Sequence, residues 1–201
     1  MYPVKAVPIR EAIGRIRSPA VRAAFDFWFA FREQGRFPSF DDVDPAAIKE
    51  ALPYLWVLRY DRASGRFTYR IAGEEINRFY RRNLSGKPVD GLMAPELAEA
   101  FQGRARRVIE NACVLHLVGK VYRSAGYEAV GERIYLPLSP ARNDDGGVLG
   151  ITDARGHNIK DELLQKDATR ALHVIRDGDY LVYDAAIPVG APPASGTPDR
   201  P

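Results

Sequence analysis

The sequence predicts an α+β domain: a five-stranded antiparallel sheet with helices on one face, preceded by an amphipathic helix and followed by a helical extension. Three observations support this expectation. Two short β-favouring runs flank a Ser-Gly turn, one long amphipathic helix occupies the middle of the chain, and three more β-favouring runs follow it.

The composition suits such a domain. At 201 residues the chain has the size of one domain plus extensions, since domains commonly run to roughly 100–200 residues. Apolar residues make up 46% and charged residues 27%, enough to build a real core. The apolar stretch Phe25 to Phe31 is broken by Asp26 and falls far short of the roughly 20 residues of a membrane span. Lys5 and Arg10 are not followed by an apolar segment with a small-residue cleavage site, so a cytoplasmic location is expected. Cys113 is the only cysteine, which excludes an internal disulfide and a thiolate zinc cluster. A net charge of +3, with 26 acidic residues interspersed among 29 basic ones, gives weak support to nucleic-acid binding.

The first helix is expected from Ser18, a cap residue, followed by Pro19, whose missing N–H costs nothing at the first helical position. Val21, Phe25, Trp28 and Phe31 form an apolar stripe, widened by Phe27 and Phe29, that runs to a stop at Gly35. Asp44-Pro45 repeats the cap signal for a short helix through about Ala51, which Pro53 ends. Tyr54 to Tyr60 and Phe67 to Ile71 read as a hairpin across Asp61 to Arg66. A short helix is expected around Ile76, Phe79 and Tyr80, with turns through Asn83 to Gly86 and Pro88 to Gly91.

Pro95 to Asn111 is the main helix, with Leu97, Phe101, Ala105 and Val108 on one face and Arg104, Arg106 and Arg107 on the other. Val114 to Arg123, Glu132 to Leu138 and Gly147 to Thr152 read as a three-strand meander, the last two joined by Asn-Asp-Asp-Gly turn chemistry. Asp161 to Ile175 offers a further helix, and Tyr180 to Val189 a short strand. From Gly190 the chain is too poor in large apolar groups to fold and is expected to be disordered. The divisions are thus 1–36, 37–156, 157–189 and 190–201.

Five segments carry a resemblance: Asp44-Pro45, Leu52-Pro53, Tyr69-Arg70-Ile71-Ala72-Gly73, Asn83-Leu84-Ser85-Gly86, and Arg133-Ile134-Tyr135-Leu136-Pro137-Leu138 leading to Val148-Leu149-Gly150. In order and spacing, from about Phe37 to Ala154, they resemble a proteobacterial family of small single PAS proteins. The resemblance implies a PAS fold that binds a small ligand between the sheet and its helices, or serves as a dimerising protein contact. It also implies that state changes pass to an output partner. With no kinase, cyclase or DNA-binding segment following the domain, output is expected through a separate protein.

In a PAS-like arrangement the pocket candidates are Trp56, Tyr69, Ile71, Phe79, Tyr80, Phe101, Val108, His116, Val118, Ile134, Leu136 and Ile151, although strand alternation leaves their facing open. For most of them a plain core role is favoured. His116 in an apolar strand could hydrogen-bond a ligand or bind haem iron, but a satisfied structural histidine is the favoured reading. His157 and His173 are too scattered to form a metal site, and Asp41, Asp42 and Asp44 are better explained as caps than as a calcium loop. Ser85-Gly86-Lys87 lacks the upstream glycine of a phosphate loop, and Cys113 lies outside the helix motif of flavin photosensors. No cofactor is named by these residues, and no Gly-x-Ser-x-Gly elbow or other catalytic context argues for an enzyme.

Three readings compete. The first is a ligand-binding sensor. The second is a ligand-free homodimer or interaction module, with Val21, Phe25, Trp28 and Phe31 as candidate partner contacts, because so many rings require a covering surface. The third, disfavoured, is a nucleic-acid binder using Arg78, Arg81 and Arg82 with Arg104, Arg106 and Arg107.

Overall fold

A computed structural model describes residues 14, 16–124, 127–141 and 145–154, with backbone alone at 120, 123, 124, 127, 128 and 181–188. Its centre is an antiparallel sheet of β1 (Leu55–Asp61), β2 (Arg66–Ala72), β3 (Cys113–Ser124), β4 (Tyr127–Leu138), β5 (Gly147–Asp153) and β6 (Leu181–Pro188). The six strands run in the order β2-β1-β5-β4-β3-β6. Among the described residues, α1 (Pro19–Glu33), α2 (Glu74–Tyr80) and α3 (Pro95–Glu110) are α-helical.

The local signals explain the helix ends. Ser18 Oγ accepts the Val21 N–H at 3.2 Å, Pro19 opens the first turn of α1, and Gly35 turns the chain away with φ +80°. Pro95 opens α3 in the same manner. The short helix expected from Asp44 does not form. Asp44 Oδ1 accepts from the Ala46 N–H at 2.9 Å, a side-chain turn that competes with helical bonding, and the segment 45–51 runs as turns into a 3₁₀ turn at Leu52–Tyr54. The expected helix at 161–175 and the tail from residue 190 lie outside the described residues. The late strand is present as β6, paired antiparallel with β3.

Both faces of the sheet are buried. On the inner face α2 and α3 cover Trp56, Leu58, Phe67, Tyr69, Leu115, Leu117, Tyr135 and Val148. On the outer face α1 covers Leu55, Val57, Val114, Ile134, Leu136, Leu149 and Ile151. The helices of the domain therefore sit on one face, and the amphipathic helix closes the other. Trp28 anchors it: fully buried, it donates its indole N–H to Pro137 O at 2.8 Å. That carbonyl belongs to a residue with no backbone N–H to offer the sheet.

The chain between α1 and β1 is fastened by a second 3₁₀ turn, Phe40–Asp42. Asp42 accepts from the Ser39 N–H at 2.8 Å and forms a two-pronged pair with the Arg36 guanidinium at 2.9 and 3.0 Å. The Arg36 hydrogen bonds, then the Ser39 N–H, hold the Asp42 carboxyl below the ordinary carboxylate range. A depressed carboxyl stabilises the fold above the unfolded-state value and loses that contribution as pH falls through the folded one. Replacing Arg36 with alanine should move the Asp42 midpoint up toward that of a free carboxyl in a carbon-13 NMR titration.

At the sheet centre, Gly150 lies directly under the Trp56 ring, so a Cβ there would overlap Trp56 Cζ2, Cη2 and Cε2. Gly150→Ala is expected to lower stability by about 1–3 kcal/mol, the usual range for overpacking a filled core. Urea unfolding followed at Trp56 measures it.

Candidate functional site

The inner face carries a continuous layer of rings around one buried cation. Trp56 lies 5.1 Å from Phe101 and 5.0 Å from Tyr135 between ring centroids, and Tyr69 stacks on Phe101 at 6.4 Å. The Arg133 guanidinium, 5% exposed, sits 5.4 Å from the Phe101 centroid and 5.3 Å from that of Tyr122. Phe79 of α2 stacks on Tyr122 at 4.0 Å, with Tyr80 edge-on to both. Phe79 and Tyr80 are only half buried, so this column of rings and cation leads from the surface to the core.

Strand position fixes the polar groups. Arg133 of β4 pairs across with Thr152 of β5, and its Nε donates to Thr152 Oγ1 at 2.8 Å. Its Nη2 donates to Val121 O. Trp56 Nε1 also donates to Thr152 Oγ1, at 2.9 Å. The Tyr122 hydroxyl is buried beside Thr152. Burial pushes the Tyr122 phenol far above its ordinary value, against the pull of the Arg133 charge. Tyr69 moves in the same direction, again chiefly through burial, with Arg133 opposing. A guanidinium and neutral phenols among rings can receive a flat molecule carrying an acidic or carbonyl oxygen.

The pocket residues nominated from sequence divide by face. Trp56, Tyr69, Phe79, Tyr80, Phe101 and Val108 come together on the inner face. Ile71, Ile134, Leu136 and Ile151 lie on the outer face with α1 and cannot line the same site. His116 and Val118 join them: His116 contacts Glu132, and Val118 is the cross-strand partner of Glu132, which bonds to the start of α1. The pleat sends successive side chains to opposite faces, and both faces here are apolar. A bulge adds a second reason. Val57 pairs with Ile71 and Leu58 with Tyr69, so Arg70 is the extra residue that turns Ile71 outward.

Among the nominated partner contacts, Val21, Phe25 and Trp28 are sealed against the chain's own sheet, at 0–1% exposure, and are closed to another molecule while α1 is docked. Phe31 is half buried, in an edge-on pair with Phe27 at 5.2 Å. Several arginines of the proposed basic face are engaged locally: Arg78 with Glu74 and Glu75, Arg82 with Gly91 O and Leu92 O, and Arg106 with Gly65 O. Sequence reading missed Arg133, Tyr122 and Thr152. The available signal was Glu132-Arg133 at the head of an apolar strand, since charged residues in such a run are seldom buried without a purpose.

A family model described as a PAS domain matches residues 16–153. The chain belongs to the PAS domain family, and so to a class of sensory and regulatory modules. The match begins ahead of α1 and ends with β5, so it takes in the outer helix as well as the ring-lined face. No curated protein and no solved structure matches the chain. Among the described residues no helix is long and apolar enough to cross a membrane.

Tyr122→Phe removes a hydroxyl buried beside Thr152 and should change stability by no more than about 1.5 kcal/mol, the net worth of one neutral hydrogen bond. A lower urea midpoint for the variant would mean that the hydroxyl is bonded within the protein.

Proposed function

We propose that this PAS domain is a bacterial signalling sensor that takes a small aromatic compound with an acidic group on its inner face and reports its occupancy to a separate output protein. The observation that carries this reading is the Arg133 guanidinium, buried at 5% exposure among Phe101, Tyr122 and Thr152. A charge in such surroundings is expensive to bury, and a guanidinium stacked over rings beside neutral phenols is the chemistry that orients an aromatic acid. Phe79 and Tyr80 form the opening. They ride on α2, a single short helix that ends at Arg81 in a left-handed conformation, φ 53°. A cleft on the outer face, beside Phe40, Arg70 and Ser139, has room for little more than a water molecule.

The second reading is a homodimer or interaction module without ligand. It is favoured by Phe27 and Phe31, which pair edge-on and remain only half buried at the flank of α1.

Native mass spectrometry of freshly purified protein, beside a denatured sample, tests both readings, and benzoate serves as a probe of the inner face. A released small molecule, or saturable benzoate quenching of Trp56 in a Trp28→Phe background, is the expected result. Arg133→Met should weaken benzoate binding at least about tenfold, since hydrogen bonds to a charged group are worth about 1.5–3 kcal/mol. Circular dichroism of the variant separates loss of binding from loss of fold, since Arg133 also donates to Thr152 Oγ1 and Val121 O. An empty dimer indifferent to benzoate would transfer the function to the interaction reading.

A further inference from the structure

The outer face holds a buried polar cluster that the inner site does not use. Glu132 is fully buried on β4 and accepts from the Ser18 N–H at 2.6 Å and the Arg17 N–H at 3.2 Å to each carboxylate oxygen. His116 Nε2 of β3 meets Glu132 Oε1 at 2.5 Å, with the imidazole 3% exposed. Directly across the ladder from Glu132 stands Asp153, 6% exposed, whose Oδ2 accepts from the Ser18 hydroxyl at 2.8 Å. The same Ser18 Oγ accepts the Val21 N–H inside the first turn of α1. Gly131 permits this arrangement, since a Cβ there would strike the Asp153 carbonyl and Ala154 Cα.

Two carboxylates facing each other across an apolar sheet repel and lose hydration. Here they are held together by what they both grip, the positive N-terminal end of α1 and its cap residue. Beyond that end, α1 is attached through apolar side chains and the Trp28 indole. We propose that Glu132 and Asp153 form a latch that makes α1 a separately releasable cover of the sheet, docked while both carboxylates hold Ser18 and let go when either grip is lost. His116 is a positioning residue, orienting Glu132 from the neighbouring strand. The latch occupies the ladder rung next to Arg133 and Thr152, which face the opposite side of the same two strands. A shift of β4 against β5 on the inner face therefore reaches α1 through one peptide unit on each strand.

Hydrogen–deuterium exchange on the full chain tests this, comparing wild type with Glu132→Gln, Asp153→Asn and, as a surface control, Glu99→Gln. In the two latch variants the α1 amides from Ala24 to Trp28 should exchange about tenfold to a hundredfold faster, the range expected for loss of charge-assisted hydrogen bonds. Amides of α3 from Phe101 to Val108 and of β4 from Ile134 to Leu136 should stay within about twofold of wild type, with the control unchanged throughout. Unchanged α1 protection would overturn the proposal. So would equal loss of protection in α1, α3 and β4, because the carboxylates would then be ordinary members of one cooperative core. Ser18→Ala combined with Asp153→Asn adds a test that does not depend on Glu132. The pair should be non-additive in α1 exchange, and additive effects would refute a shared grip.

Discussion

A sheet whose two faces are both apolar must be covered on both sides, and this requirement organises the whole molecule. Along β1 the sequence Leu55-Trp56-Val57-Leu58 alternates between the outer and inner cores, and every residue of β5 is buried. Such strands have no solvent side on which to spend polar residues. The inner face is satisfied by α2 and α3, and the outer by α1, which is why an aromatic-rich helix stands ahead of the first strand. Register follows from the same demand, since moving β5 by one residue would put Leu149 or Ile151 where Gly150 now makes room for Trp56.

Within that apolar frame the polar side chains come in cross-strand pairs, and their placement is economical. Arg133 with Thr152 and Glu132 with Asp153 occupy adjacent rungs of the β4–β5 ladder but project to opposite faces. One pair furnishes the inner face with hydrogen-bonding capacity, and the other fastens the outer helix. Polar networks buried in this manner are rigid only when every member is satisfied, so each rung makes the sheet's geometry matter to a different neighbour.

The elements were largely legible because their punctuation is local. Ser18-Pro19, Gly35, Pro95 and the turn between Tyr60 and Phe67 each act through backbone chemistry that a few residues determine. Facing was not legible. In a strand such as Val114 to Val118 both parities are apolar or aromatic, so the sequence contains no contrast that tells His116 from Leu115. The bulge at Arg70 and the pairing of β6 beside β3 depend on contacts between distant segments and leave no local mark. Asp44-Pro45 misled for the opposite reason, because an aspartate that can cap a helix can equally close an isolated turn.

The sheet's borders carry a last consequence. At one margin, Thr68 bridges to Pro88, and the Tyr69 and Val89 N–H groups bond to Lys87 O and Phe67 O, so a loop sheathes the free side of β2. At the other, β6 occupies the side of β3 that the five strands within the family match would leave unpaired. A protein cut back to the family match would display a row of unsatisfied backbone donors and acceptors along β3, the template on which sheets join edge to edge. The strand from Leu181 to Pro188 thus satisfies the backbone groups along that border of β3.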